Sequence, residues 1–176
     1  MLAISIGLLL CTFPANADFI SAQLSVNGLT CPFCAFGIEK KLLDVPGVVD
    51  VEVFLDEGRI ALTFERGSKA TVHDLEQAVH KAGFELAGLS LEASGAIQRS
   101  DEERILWIVH SGMKFGLVED VEGRKREVSA ETLRRLQVAN ASNGSSFVIV
   151  GDVVERDSRE PLLVIREIKS GPGTMN

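Results

Sequence analysis

The chain has 176 residues, 45% of them hydrophobic and 24% charged, a globular balance that suits one large domain or two small ones. A net charge of −7 argues against a protein held to nucleic acid or anionic lipid by bulk electrostatics. Tyrosine is absent and aromatic residues make up 6%, so an aliphatic core is expected.

Residues Met1 to Ala17 carry no charged side chain, hold an apolar run from Leu2 to Leu10, and end in Ala15-Asn16-Ala17 before Asp18. This reads as a cleaved secretory signal, although its first residues lack the usual Lys or Arg. The run is shorter than the ~20 residues of a spanning helix. Cys11 follows Leu10, not the small residue of a lipoprotein signal. The expectation is a periplasmic or secreted protein with no stable membrane insertion after cleavage.

From Ile20 to Val26 apolar and polar residues alternate, predicting a half-buried strand. Thr30 is placed to cap a helix starting near Pro32, with Ala35, Ile38, Leu42 and Val45 on its apolar face and Pro46-Gly47 ending it. Val49, Val51, Val53 and Leu55, a turn at Asp56-Glu57-Gly58, then Ile60, Leu62 and Phe64 predict a hairpin. Thr71 with Asp74 forms a capping-box pattern for a second helix, whose apolar positions are Val72, Leu75, Val79 and Ala82. Phe84, Leu86, Leu89 and Leu91 begin another strand. The order is βαββαβ, the ferredoxin-like plan, over residues 18–91.

Beyond Glu92, strand-like runs at Leu91–Gln98, Ile105–His110, Lys114–Asp120, Phe147–Glu155 and Leu162–Ile168 surround a helical stretch from Ala130 to Val138, in which Leu133 and Leu136 are apolar. Five strands with a helix between the third and fourth predict a small, mainly-β, OB-like domain over 92–170, followed by a flexible tail, 171–176. The fold class is therefore α+β, a ferredoxin-like domain followed by an OB-like one. Residues 92–169 carry 12 Lys+Arg against 14 Asp+Glu, without the basic surplus of a nucleic-acid binder. Trp107, Phe115 and Phe147 lie inside apolar runs and are expected in the core.

Once the leader is set aside, Cys31 and Cys34 are the remaining cysteines, spaced i and i+3 at a strand–helix junction. Backbone N–H groups and the helix dipole stabilise thiolates there. Two thiolates at this spacing can hold one soft cation, Cu(I) or Hg(II), in near-linear geometry. Zn(II) ordinarily takes four ligands, and no second CxxC exists. The same spacing suits a reversible disulfide. A purely structural bridge would close almost no loop and stabilise little.

Gly28-Leu29-Thr30-Cys31-Pro32-Phe33-Cys34 resembles the GMTCxxC loop of heavy-metal-associated domains, the family of copper chaperones, copper-ATPase modules and the periplasmic mercury-binding protein. The likeness continues through Ile38-Glu39, Leu42, Pro46-Gly47-Val48, Val51–Val53 and Ala82-Gly83-Phe84. It implies the ferredoxin-like fold, Cys31 and Cys34 as ligands of one Cu(I) or Hg(II) per chain, Gly28 and Thr30 as shapers of the loop, and Phe84 as its shield. Leu29 replaces the usual methionine and should keep its inward packing. Aromatic Phe84, where cytosolic chaperones often carry lysine, together with the leader favours a periplasmic carrier over a cytosolic chaperone.

The rival is a periplasmic thiol-disulfide oxidoreductase, since Cys-Pro-Phe-Cys also resembles a glutaredoxin site. No proline between Gly47 and Glu160 can supply the cis-proline of that fold. A third reading is an adaptor whose OB-like domain is the main binding module. An exported thiol pair faces oxidation, so a resting Cys31–Cys34 disulfide is expected without metal.

The remaining candidates read as ordinary surface. His73, His80 and His110 have no Cys, Met or acidic cluster near them, and Met113 and Met175 form no methionine-rich tract. Arg124-Lys125-Arg126 reads as a solvated loop, as does Glu102-Glu103-Arg104, and Asp101 and Asp157 read as turn residues. Asn140-Ala141-Ser142 and Asn143-Gly144-Ser145 match glycosylation acceptors, expected idle in a bacterial context. No catalytic triad or phosphate loop stands out. The sequence predicts a non-enzymatic carrier that passes its metal to a metal-transporting membrane protein or a receiving metal-binding domain.

Overall fold

The computed structural model describes residues 19–100, 104–109, 113–142, 147–156 and 158–169. The expected leader, Cys11, Asp101, Glu102-Glu103, His110, Asn143–Ser145, Asp157, the 171–176 tail and Met175 lie outside them.

Alternation and helical spacing produce βαββαβ in the first half: β1 Phe19–Asn27, α1 Pro32–Leu43, β2 Val48–Phe54, β3 Arg59–Phe64, α2 Val72–Lys81 and β4 Glu85–Arg99. The sheet order is β2-β3-β1-β4, all antiparallel, and α1 and α2 pack beside each other and against it. Ile38 and Leu42 of α1 and Val72, Leu75 and Val79 of α2 are buried with Leu24, Ile60 and Leu62 of the sheet. The capping box forms as expected: Asp74 N–H donates to Thr71 Oγ1 at 3.1 Å, and Thr71 N–H to Asp74 Oδ2 at 2.9 Å.

Two bulges alter the expected alternation. Between Phe19 and Ser21 the register with β4 shifts, so Phe19 is buried and Ile20 turns outward. Between Val48 and Asp50 the register with β3 shifts, so Val48 faces the core and Val49 is 54% exposed. An extra residue in one strand reverses the faces on either side of it.

The second half is built on the same sheet. β4 is one continuous strand, and the expected boundary at residues 91 and 92 lies in its middle. One edge pairs with β1 and then, at Ala96–Arg99, with β5 (Ile105–Val109). The other edge pairs at Ser90–Gly95 with β8 (Phe147–Val154). β5 pairs with β6 (Met113–Val121), β6 runs parallel to β9 (Leu162–Lys169), and β9 pairs with β8. That closes a ring, β4-β5-β6-β9-β8, with α3 (Ala130–Ser142) between its third and fourth strands in chain order.

Trp107, Phe115 and Phe147 are fully buried in the barrel beside Leu136 of α3, as core residues rather than stacking platforms. These three aromatics sit in an otherwise aliphatic core, as their apolar runs predict. Arg124–Glu127 corrects the expected loop: it is a short exposed strand, β7, paired with β6 across a turn at Glu122-Gly123, both with positive φ. No helix among the described residues is long and apolar enough to cross a membrane.

Candidate metal centre

The loop that carries the cysteines is pinned at its base by β4 and by the turn that leads into β3. Val26 N–H donates to the Gly58 carbonyl at 2.8 Å, while Val26 and Asn27 pair with Leu86 and Glu85 of β4. Gly58 is required there: its φ is +59°, and a Cβ would sit 3.1 Å from the Val26 carbonyl oxygen. The chain then turns at Gly28, φ +75°, where Thr30 N–H reaches the Gly28 carbonyl at 3.0 Å. Leu29 is 1% exposed, so leucine supplies the inward tether expected at this position.

The helix begins at Pro32, as expected, but its cap lies one residue later than expected. Cys31, and not Thr30, is the N-cap, with extended backbone at φ −108° and ψ 129°. Its carbonyl accepts the first helical hydrogen bond, from Ala35 N–H at 3.0 Å, and its side chain closes no short cap. Proline at 32 explains the shift, because the residue before a proline is driven to extended backbone while proline itself suits the first helical turn. Cys34 follows within that turn. Both cysteines are free thiols and partly exposed, and Cys34 also packs against the core.

The two thiols are electrically unlike. The N–H of Cys34, the Cys34 thiol and the N–H of Phe33 hold the Cys31 pKa below the ordinary thiol value. Hydrogen bonding to Cys31, partial desolvation and the Cys31 charge push the Cys34 pKa up. The helix start thus favours a thiolate at Cys31 and disfavours a second one at Cys34, and a cation shared by both sulfurs would offset their repulsion.

Around the pair the surface is apolar. Phe33 and Phe36 are 89% and 69% exposed, and with Lys40 and Leu43 they fall on one stripe of α1. Sequence reading did not single out these aromatics; their signal was two phenylalanines at helical positions opposite Ile38 and Leu42. Phe84 follows Gly83 (φ +86°) at the α2–β4 corner and is half-buried on the core that Cys34 touches. Since Asn27 pairs with Glu85, Phe84 lies at the level of Gly28, across from the start of the cysteine loop.

No third His, Cys, Asp or Glu joins a metal-sized cluster among the described residues. His73 and His80 are exposed on α2, with His73 hydrogen-bonded to Gln77 at 2.9 Å. Met113 is half-buried against the barrel core.

The heavy-metal-associated domain matches residues 23–85. The mercuric transport protein periplasmic component of Shigella flexneri is 32% identical over 80 residues, 46% of this chain and 87% of that protein. The copper chaperone CopZ of Bacillus subtilis is 30% identical over 64 residues, 36% of this chain and 91% of the chaperone. A copper-exporting P-type ATPase of the same bacterium is 32% identical over 83 residues, and the match spans about a tenth of that ATPase (10%). Among solved structures, the CopZ metallochaperone aligns at 25% identity and a TM-score of 0.36, covering 38% of this chain and 98% of its own. By the matched motif and these near full-length relatives, the chain belongs to the heavy-metal-associated domain family.

Proposed function

We propose that the protein is a non-catalytic carrier that holds one Cu(I) or Hg(II) between the sulfurs of Cys31 and Cys34 and passes it to another thiol-bearing protein. The observation that supports this most is the placement of both free thiols at the start of α1, partly exposed, with Cys31 poised to ionise. Two soft thiolates match a soft cation that accepts two ligands. Loading displaces the two thiol protons to solvent, so binding weakens as pH falls.

Transfer follows from the exposure. An incoming partner thiolate adds to the metal to make a three-coordinate intermediate. One original thiolate then leaves and regains a proton, and a second partner thiolate displaces the other in the same way. The partner has to cover Phe33, which sits between the cysteines, and apolar Phe33 and Phe36 favour a partner with an apolar rim. A metal-transporting membrane protein or a receiving metal-binding domain has that role. In this reading the strand order of the second half supports an OB-like module, and the charge-free leader supports export to the periplasm or outside the cell.

Anaerobic titration of reduced protein with Cu(I) and with Hg(II), alongside a Cys31→Ser/Cys34→Ser variant, tests the carrier reading. One ion per chain for the wild type and none for the variant is expected; equal weak binding by both overturns it.

One observation favours a second reading, a thiol-disulfide oxidoreductase. A lowered Cys31 pKa beside a raised Cys34 pKa is the split that suits an attacking and a resolving thiol. Turnover in an insulin-reduction assay would establish that reading; a carrier gives none.

A further inference from the structure

Beyond the shared strand β4, the barrel also reaches the cysteine-bearing half through a side chain just past the end of β8. β8 ends at Val154, Glu155 takes a left-handed turn at φ +53°, and the next side chain, Arg156, reaches back across β4. Its Nε donates to Glu76 Oε1 of α2 at 2.6 Å, and its Nη2 to the Leu86 carbonyl of β4 at 2.8 Å. Both side chains are about three-quarters buried, 22% and 24% exposed. The hairpin that carries Arg156 is itself held to the barrel. Lys125 Nζ pairs with Glu155 at 3.3 Å, Ser158 N–H returns to the Glu155 carbonyl at 3.0 Å, and Arg104 pairs with Glu160 at 3.1 Å.

The carbonyl that Arg156 holds is at a special place. Ser25 pairs with Gly88 but Val26 pairs with Leu86, so β4 carries a bulge at Ala87. Leu86 is the first residue on the metal-loop side of that bulge, two residues after Phe84 and directly opposite Val26. A bulge leaves backbone unpaired and re-aims the chain beyond it. A guanidinium bridging the bulged strand to α2 fixes the α2–β4 corner, and that corner presents Phe84 to the cysteine loop. Glu155 holds a left-handed backbone that non-glycine residues rarely adopt, and that turn aims Arg156 back at α2.

We propose that Arg156 is a positioning residue for the Cys31–Cys34 pair: the barrel's β8–β9 hairpin clamps α2 and the β4 bulge through Glu76 and the Leu86 carbonyl, and so fixes Phe84 opposite the metal loop. The barrel then acts on the metal site as a brace as well as a module of its own. This rests on the carrier reading only for its metal readout.

The test uses the full chain with Arg156→Ala, Arg156→Lys and Glu76→Gln. Lysine can keep the ion pair with Glu76 but has no fork with which to hold Leu86 as well. Two quantities are read: release of Cu(I) to a competing chelator, and the pH dependence of Cys31 alkylation in reduced, metal-free protein. Groups bonded directly to metal ligands change affinity by about 10-fold or more, and Arg156 acts one step further back, so Arg156→Ala is expected to release Cu(I) a few-fold faster. Its Cys31 alkylation profile is expected to move, with Arg156→Lys between it and wild type.

Folded variants with unchanged release and unchanged alkylation profile overturn the proposal and leave Arg156 as a tie for stability alone. If Arg156→Ala fails to fold, Arg156→Lys and Glu76→Gln carry the same decision. If the wild type binds neither Cu(I) nor Hg(II), the carrier reading fails, and the alkylation profile still decides whether Arg156 positions the thiols.

Discussion

The two halves of this sheet are stabilised by different means. Around the cysteine loop, the core is a layer of small aliphatic side chains between two amphipathic helices and four strands, with one aromatic pair, Phe19 and Phe64, edge to face at 5.6 Å. In the barrel, Trp107 and Phe115 meet at 6.2 Å, Phe147 lies in the same core, and Gly95 lets the β4 backbone lie close against Trp107. The first half sets its two thiols at an exposed helix start; the second is closed on itself. Yet they share β4, so the comparison turns on whether that strand couples them or merely joins them.

The sharpest way to break it is in β4 itself. A Cβ at Gly95 would lie 2.5 Å from the Ile108 carbonyl oxygen and 2.5 Å from Trp107 Nε1, the first of which is backbone and cannot step aside. Gly95→Val is expected to cost about 3 kcal/mol, the upper range for overfilling a packed core. Trp107 is the only tryptophan, so its fluorescence reports the barrel, while alkylation of Cys31 and Cys34 reports the loop. If β4 couples the halves, both signals lose stability together in thermal unfolding. A barrel that melts while the loop stays protected would make them independent.

Next in size is Leu29→Ala. It removes a buried side chain that ties the loop to the first half's core, at an expected cost of about 2–3 kcal/mol by chemical denaturation. Leu29→Met preserves volume and should cost less than about 1.5 kcal/mol. A smaller effect is expected at the α2 cap. Thr71→Ala removes an oxygen that accepts from Asp74 N–H, for about 1 kcal/mol. All three changes are measured on the full chain, and the contrast holds if Leu29 and Thr71 variants loosen the thiols more than they shift Trp107.

Legibility in the sequence follows the same division. The first half was readable because its signals are local: Thr71 and Asp74 announce a cap three residues apart, and Ile38 and Leu42 mark a buried face one turn apart. Its errors were local too. Bulges beside Ile20 and Val49 reverse a strand's faces without changing its composition, and Pro32 moved the cap from Thr30 to Cys31. The barrel's strands were readable, but their closure was not. The pairing of β4 with β8 and the parallel seam of β6 with β9 join residues far apart in sequence, which no periodicity encodes. For the same reason Arg124–Glu127 looked like a charged loop, since only the pairing with β6 makes it a strand. Arg156 is the extreme case: one arginine in a turn, with its partners 80 and 70 residues away.

The smallest expected effect concerns order more than size, and it falls on the two sulfurs. Alkylation requires the thiolate, so each cysteine reacts as pH rises through its own pKa, which for a free thiol is about 8.5. Cys31 is held below its ordinary value, first by the Cys34 N–H, so its reaction begins at lower pH. Cys34 is raised, first by its hydrogen bond to Cys31, so its reaction lags and rises only in more alkaline solution. Mass spectrometry of partly alkylated, reduced protein should find Cys31 labelled first at every pH below that point. The asymmetry depends on the shared helix start, so Cys31→Ser should bring Cys34 alkylation to lower pH by removing the neighbour that raises it. Equal labelling of both sulfurs at low pH would mean that the loop holds them apart and that neither feels the other.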